Sequence, residues 1–135
     1  MNVWQTISPY FDKTEKWGNA NLMSGLMLLT LYHVRDHVGY PFVIHAGHSS
    51  TGHSANSQHY IGNAVDFHIS GMIFRDAIVA MENALSDLRI SNRVGLGIYL
   101  DWNNKGFHLD CRGSQARWGR VKGSYVEYAR ARSLV

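Results

Sequence analysis

Cysteine is nearly absent: Cys111 stands alone among 135 residues. One thiol forms no intrachain disulfide and excludes the cysteine-rich zinc modules, so any bound metal must rely on other donors. Long apolar runs are missing too. The longest apolar stretch, around residues 26–32, is too short and too interrupted to cross a bilayer, so no membrane partner is expected. The first residues, Met1-Asn2-Val3-Trp4-Gln5-Thr6, show no charged segment followed by an apolar run, hence no signal peptide; the expectation is a soluble protein made in the cytoplasm. No internal repeat, low-complexity tract or Pro/Gly/Ser-rich linker divides the chain. Gly-x-Ser-x-Gly does not occur, which removes the nucleophile elbow of a serine hydrolase.

The length suits one domain spanning residues 1–135. A domain of this size buries roughly two thirds of its unfolded surface. It needs no metal merely to fold, so a metal here is better read as chemistry. An apolar content of 45% with 17% charged residues is that of a soluble globule, which argues against disorder. The net charge of +3 suits a polyanionic partner, a nucleic acid or an anionic wall polymer among them. Arg112, Arg117, Arg120, Lys122, Arg130 and Arg132 crowd the last quarter, but they match no nucleic-acid motif, so nucleic acid is not the expected partner. The one unusual abundance is histidine, with eight in the chain.

Periodicity predicts a helix over residues 21–38. Leu22, Leu26, Leu29 and His33 follow helical spacing, as do Met23, Met27 and Val34, and Gly39 is a stop. Pro41 forces an extended lead into a short strand over residues 42–45. Residues 46–63 are largely Gly, Ser, His and Asn, and a loop this long inside a compact domain signals function. A strand is expected over 64–69, then a helix over about 72–87, capped by Ser70 and burying Ile73, Ala77, Met81, Ala84 and Leu88. Strands over 94–100 and 106–112 form a hairpin across the polar tip 101–105, and residues 125–131 suit a short terminal helix. That order implies an α+β domain, with helices packed on a small, mainly antiparallel sheet.

Within the long loop, His59 precedes a turn that Gly62 can make, and Asp66 lies seven positions on, at the strand that leaves the turn. A loop-end histidine and a strand carboxylate can converge on one point, and His108, central on a hairpin strand, can supply a third donor. Zinc takes imidazole nitrogen and carboxylate oxygen at about 2.0–2.2 Å, and catalytic sites use three protein ligands plus water. Two neutral ligands and one anion leave net positive charge, which polarises a carbonyl and lowers the pKa of bound water toward about 7.

The segment Ser57-x-His59-x-x-Gly62-x-Ala64-x-Asp66 resembles the signature of the zinc D-alanyl-D-alanine carboxypeptidase-like metallopeptidases, which share a fold with the hedgehog signalling domain; all five defining positions match. Tyr10-Phe11-Asp12-x-x-Glu15 and Gly39-x-Pro41-Phe42-Val43-Ile44 resemble the family's amino-terminal segment and the strand leading into the site. Gly97-Ile98-Tyr99, Phe107-His108-Leu109-Asp110-x-Arg112-Gly113 and Arg117-Trp118 resemble its small wall-lytic branch. The resemblance implies a hedgehog/D,D-peptidase-like fold, one zinc ion on His59, Asp66 and His108, and hydrolysis of peptidoglycan stem peptides or their cross-links by a carboxypeptidase or endopeptidase. The missing signal and the small size, apart from the resemblance, suggest a phage lytic enzyme, virion-associated or released at lysis, and a monomer is expected.

Proton transfer needs a further group. Asp110 lies two residues beyond His108 on the same strand face. It is the leading candidate for general base, with Asp101 the alternative, and it can equally orient a ligand ring or pair with Arg112 or Arg117. Many superfamily members carry a catalytic acid three residues before the last histidine, where this chain has Lys105. Gly47-His48-Ser49-Ser50 stands where the family commonly reads Gly-Tyr-Arg-Ser. Ser49 thus replaces an arginine expected to grip a substrate carboxylate, which favours an endopeptidase unless Arg112 substitutes. His45, His48 and His53 are candidate donors to an oxyanion or plain polar loop residues, and Ser57 is a hydrogen-bond partner that positions a ligand. His68 lies in the cavity or fills space beneath it, His33 and His37 are structural, and Tyr99 and Trp102 wall a groove or simply pack. Lys105 and Ser49 motivate another reading, a non-catalytic zinc-containing or wall-binding module of the same fold. A basic nucleic-acid binder rests on charge alone.

Overall fold

A computed structural model describes residues 2–135. Six strands form one sheet in the order β1-β2-β4-β3-β5-β6: β1 (Phe42–Ala46), β2 (Ala64–Ile69), β3 (Gly95–Tyr99), β4 (Gly106–Asp110), β5 (Ala116–Val121) and β6 (Ser124–Val126). Every neighbouring pair is antiparallel except β3 and β5. Four helices accompany it: α1 (Val3–Ile7), α2 (Gly25–Val38), α3 (Phe74–Asp87) and α4 (Tyr128–Ser133). The fold is thus α+β, with helices on a mostly antiparallel sheet.

Strand alternation divides the sheet into two unlike faces. Val65, Phe67, Leu96, Ile98, Phe107 and Leu109 point into a core with the buried sides of α2 and α3. The intervening residues, Asp66, His108, Asp110 and Tyr99 among them, share the opposite face. α4 closes the core beneath β5, where Gly119 leaves no side chain between the strand and Ala131.

Helix α2 starts four residues later than periodicity suggested. Ser24 caps it by accepting the Met27 N–H, and residues 20–22 form a separate 3-10 turn. Of the two apolar stripes only one reaches the core: Met27, Leu28, Leu31 and Val34 are buried, whereas Leu22, Leu26 and Leu29 face solvent. One helix face is all that a single sheet can cover. The Ser70 cap is likewise corrected. The Ser70 N–H bonds Pro41 O, continuing the β1–β2 edge, and the cap position falls to Ile73, which makes no side-chain cap and is exposed. Ala77, Met81 and Ala84 are buried as expected.

Strands β5 and β6 were not foreseen, and the terminal helix covers residues 128–133 instead of 125–131. The basic cluster is also less free than its count implies. Arg117 donates to the carbonyls of Val94, Ala116 and Ser91, Arg132 pairs with Glu82, Arg120 with Asp101 and Arg112 with Asp110. Four of the six basic side chains therefore tie the fold together. His37 does so too, bridging α2 to Asp87 of α3 at 3.0 Å.

The two stripes of α2 give opposite stability expectations. Leu31→Ala should cost about 2–5 kcal/mol by opening a cavity, whereas Leu26→Ala, 63% exposed, should stay within about 0.5 kcal/mol. Urea unfolding of both variants checks this, and equal losses would contradict the burial described.

Candidate metal centre

Three cross-strand ladders bring the site together. Asp66 on β2 faces His108 on β4, His108 faces Gly97 on β3, and Gly97 faces Trp118 on β5. One row across four strands therefore carries a carboxylate, an imidazole, an open space and an indole. His59 arrives from outside the sheet, on a 3-10 turn over Gln58–Ile61. Ser57 caps that turn by accepting the His59 N–H at 3.2 Å, and Gly62 ends it at φ 68°. A Cβ at Gly62 would run into the Leu22 carbonyl, so glycine is needed there for space as well as conformation.

His59 Nε2 lies 3.2 Å from Asp66 Oδ1, and His108 Nδ1 lies 3.1 Å from the same oxygen. The outer nitrogens decide the tautomers. His59 Nδ1 is 2.7 Å from the Gly47 carbonyl, which can only accept, so Nδ1 carries the proton. His108 Nε2 is 2.7 Å from Asp110 Oδ2, so it donates to that carboxylate. In the neutral rings, both inner nitrogens then turn lone pairs toward an anionic oxygen. Such an arrangement needs positive charge in its midst, either extra protons or a cation.

The donor set fits a metal ion. All three donor atoms lie within 4.8 Å of one another. Ligands about 2.0–2.2 Å from one tetrahedral ion stand roughly 3.3–3.6 Å apart, close to the two histidine–carboxylate separations of 3.2 and 3.1 Å. His59 and His108 are buried, which removes competing water from two of the three donors. The group can hold a metal ion.

Burial works to raise the Asp66 pKa, but hydrogen bonds to His108 and His59 outweigh it and hold the carboxyl well below the ordinary range. Burial works to lower that of His108, but Asp110 and Asp66 overcome it and raise the pKa. Asp110 is also kept ionised against its burial, by Arg112 and then His108.

The proton-transfer role expected of Asp110 does not suit its surroundings. Fully buried, its two oxygens accept from His108 Nε2, from Arg112 through Nε and Nη2 at 2.9 and 2.7 Å, and from the Gly95 and Arg112 amides. It holds the His108 ring and forms no part of the cleft lining. Asp101 does line the cleft, but its Oδ2 accepts from Arg120 Nε and the Gly123 N–H, both at 3.0 Å. Gly95 is what admits the Asp110–Arg112 pair, since a Cβ there would lie 2.6 Å from Asp110 Oδ2 and 2.8 Å from Arg112 Nε.

The centre opens onto a cleft of about 950 Å³. The loop 52–58 lines it together with Tyr99, Trp102, Trp118, Arg112, Arg120 and Tyr125. Trp118 packs on His108 with centroids 5.0 Å apart and gives its indole N–H to the Tyr99 hydroxyl at 3.0 Å. It reaches across because Gly97 is bare: a Cβ there would stand 2.5 Å from Trp118 Nε1. The sequence held a signal for this wall, since Gly95-x-Gly97-x-Tyr99 leaves one face of β3 open at two successive positions.

The loop histidines separate. His53 lines the cleft and stacks on His59, centroids 4.1 Å apart at 15°. Burial and then the neighbouring His59 hold its pKa below the ordinary imidazole value. His48 and Ser49 lie outside the cleft lining: the His48 N–H meets Met23 Sδ, and Ser49 Oγ donates to Thr51 O. Their expected part in substrate binding finds no support in position. Ser57 and Arg112 do line the cleft. His45, the extra residue where the β1–β2 register shifts, pairs with His68 at 2.5 Å and stacks on Trp102. That pair buttresses the β3–β4 loop beyond the centre.

Two outcomes follow from this electrostatic arrangement. Asp110→Asn should weaken metal binding by about 10–100-fold, read by competition with a chelating dye. In metal-free protein, the stabilisation from Asp66 and Asp110 is complete above their unfolded values near pH 4 and lost as pH falls. That from His108 is complete below about pH 6.5 and lost as pH rises through its raised folded value. Urea midpoints in chelator should therefore peak between about pH 5 and 6.5, whereas metal, which displaces protons, should stabilise more toward about pH 8. A chelated midpoint that climbs steadily to pH 8 would contradict the pairing.

No protein-family model, no curated protein and no solved structure matches the chain; what the centre can do is decided by its donors, its cleft and its neighbours.

Proposed function

We propose that this chain is a zinc-dependent peptidase that hydrolyses peptide bonds of bacterial peptidoglycan, with the hedgehog/D,D-peptidase-like fold of the zinc D-alanyl-D-alanine carboxypeptidase-like family. The observation that carries the reading is the convergence of His59 Nε2, Asp66 Oδ1 and His108 Nδ1 beside an open, aromatic-walled cleft. Two imidazoles and one carboxylate form a zinc-peptidase donor set, and a cleft open to solvent suits a polymeric substrate. When bound, zinc polarises the scissile carbonyl and supplies a nucleophile from water near neutral pH.

The chain's own residues do the rest. Gly47 and Asp110 fix the two imidazole tautomers, and Trp118 holds the His108 ring against rotation. Tyr99, Trp102 and Tyr125 present an aromatic wall, and Arg112 and Arg120, each paired with a carboxylate, give it polar edges. Hydrolysis adds water across the C–N bond and yields a carboxylate and an amine. Ser49, in place of the family's arginine and outside the cleft, favours an internal bond over a free carboxyl terminus. Action from outside or at lysis, as a phage lytic enzyme, fits the same substrate.

A second reading, a metal-holding wall-binding module without catalysis, draws on one observation. Both candidate carboxylates for proton transfer are ion-paired, Asp110 through both oxygens by Arg112 and Asp101 through Oδ2 by Arg120.

Mass spectrometry of purified peptidoglycan after incubation separates the two. The peptidase reading expects new amine termini, abolished by chelator and restored by zinc, with one zinc per chain. His59→Ala and His108→Ala should each reduce hydrolysis to background and lose the metal. Lysis unchanged in either variant would remove this mechanism, and wall fragments retained without new termini over hours would favour the binding module.

A further inference from the structure

Hydrolysis at the centre requires a donor for the carbonyl oxygen as it gathers negative charge, and Arg112, Tyr99, Ser57, Gln58 and His53 are among the polar residues that line the cleft. Arg112 is held by Asp110 through Nε and Nη2, whereas the Tyr99 hydroxyl accepts the Trp118 N–H and keeps its own proton. Ser57 Oγ accepts the His59 N–H and Gln58 Oε1 accepts from Asn63, which leaves both with protons to donate, but neither is stacked on a metal donor. His53 differs. Its ring lines the cleft and lies nearly parallel to the His59 ring, yet neither of its nitrogens has a hydrogen-bond partner among the described residues.

The ring is nonetheless held in place. The Tyr60 hydroxyl accepts the His53 N–H at 2.9 Å and donates to the His53 carbonyl at 2.6 Å, clamping both ends of one residue's backbone. Tyr60 follows His59 directly, so the clamp anchors the loop to the same short turn that carries the metal donor. The His59 amide is capped by Ser57, and its carbonyl accepts the Ser49 N–H at 3.2 Å. A loop residue that lines the cleft is thus fixed on a rigid element, its ring face on His59. Preorganised donors of this kind need no rearrangement as charge develops.

We infer that His53 is a catalytic residue of the proposed hydrolysis, giving an imidazole N–H to the substrate carbonyl oxygen as that oxygen becomes anionic. The role rests on the peptidase reading, and it assigns a function to one histidine out of three that the loop sequence left equivalent. His45 pairs with His68, and His48 is not among the residues that line the cleft.

Two substitutions in the zinc-loaded full chain isolate the donor from the stack. His53→Phe keeps a flat ring on His59 without an N–H; His53→Gln restores an N–H without the ring. Removing one such donor costs about 10²–10³-fold in kcat. His53→Phe should show that loss with KM, zinc content and unfolding midpoint little changed, and His53→Gln should recover part of it. A kcat for His53→Phe within threefold of wild type would overturn the inference, as would a loss matched by loss of zinc. Calorimetric titration with inorganic phosphate, a tetrahedral oxyanion probe, reads the donor without turnover and should give binding about tenfold weaker in His53→Phe. Equal phosphate affinity in the two proteins, or no binding by either, overturns the donor. Wild-type protein that releases no amine, yet binds phosphate in a His53-dependent way, keeps the donor and removes the peptidase.

Discussion

One carboxylate oxygen organises this molecule. Asp66 Oδ1 lies within 3.2 Å of two buried imidazole nitrogens whose other nitrogens are committed to the Gly47 carbonyl and to Asp110. Uncompensated lone pairs in so dry a place would be costly, so the centre is stable only with positive charge among its donors. The surroundings accommodate that demand. Asp110 is paired by Arg112, Arg112 lies over Trp118, and Trp118 rests on His108, a closed circuit of contacts around one ring. Each member is held by the next, which keeps the donor atoms aimed inward.

The other requirement is room. A sheet face crowded with side chains could not hold a guanidinium–carboxylate pair and an indole flat against its strands. Gly95 and Gly97 clear two successive positions of β3, and the Asp110–Arg112 pair and Trp118 occupy the space left. The cleft is therefore shaped as much by missing side chains as by those present. Tyr99, next on the same face, marks where the wall rises, stacked on Trp102 at 4.4 Å.

The α+β architecture, β1, β2 and the β3–β4 hairpin were legible because alternation, Pro41 and turn residues act locally. His59, Asp66 and His108 could be singled out less by their spacing than by the Ser57-x-His59-x-x-Gly62-x-Ala64-x-Asp66 segment and the His108-x-Asp110 strand around them, and the structure brings their donor atoms together. Other features depended on tertiary context. Helix α2 carries two apolar stripes, and nothing within it says which the sheet will cover. β5, with Arg117 and Arg120 among its six residues, reads as polar until its parallel pairing with β3 and the internal partners of those arginines are seen. Asp110 and Asp101 could be ranked by strand face, but only their hydrogen bonds reveal that both are already engaged. His45, His48 and His53 were indistinguishable for the same reason, since a loop's sequence does not fix which rings turn inward.

The row that joins Asp66, His108, Gly97 and Trp118 runs through three separate ladders. Sliding any one strand by a single residue would turn its contribution to the core side of the sheet. An ion held there consequently acts as an inspector of strand alignment, favouring the one pairing in which every ladder is correct. Ligation and sheet assembly then share a common free energy, and a protein ready to coordinate is by that fact one whose strands have found their proper neighbours.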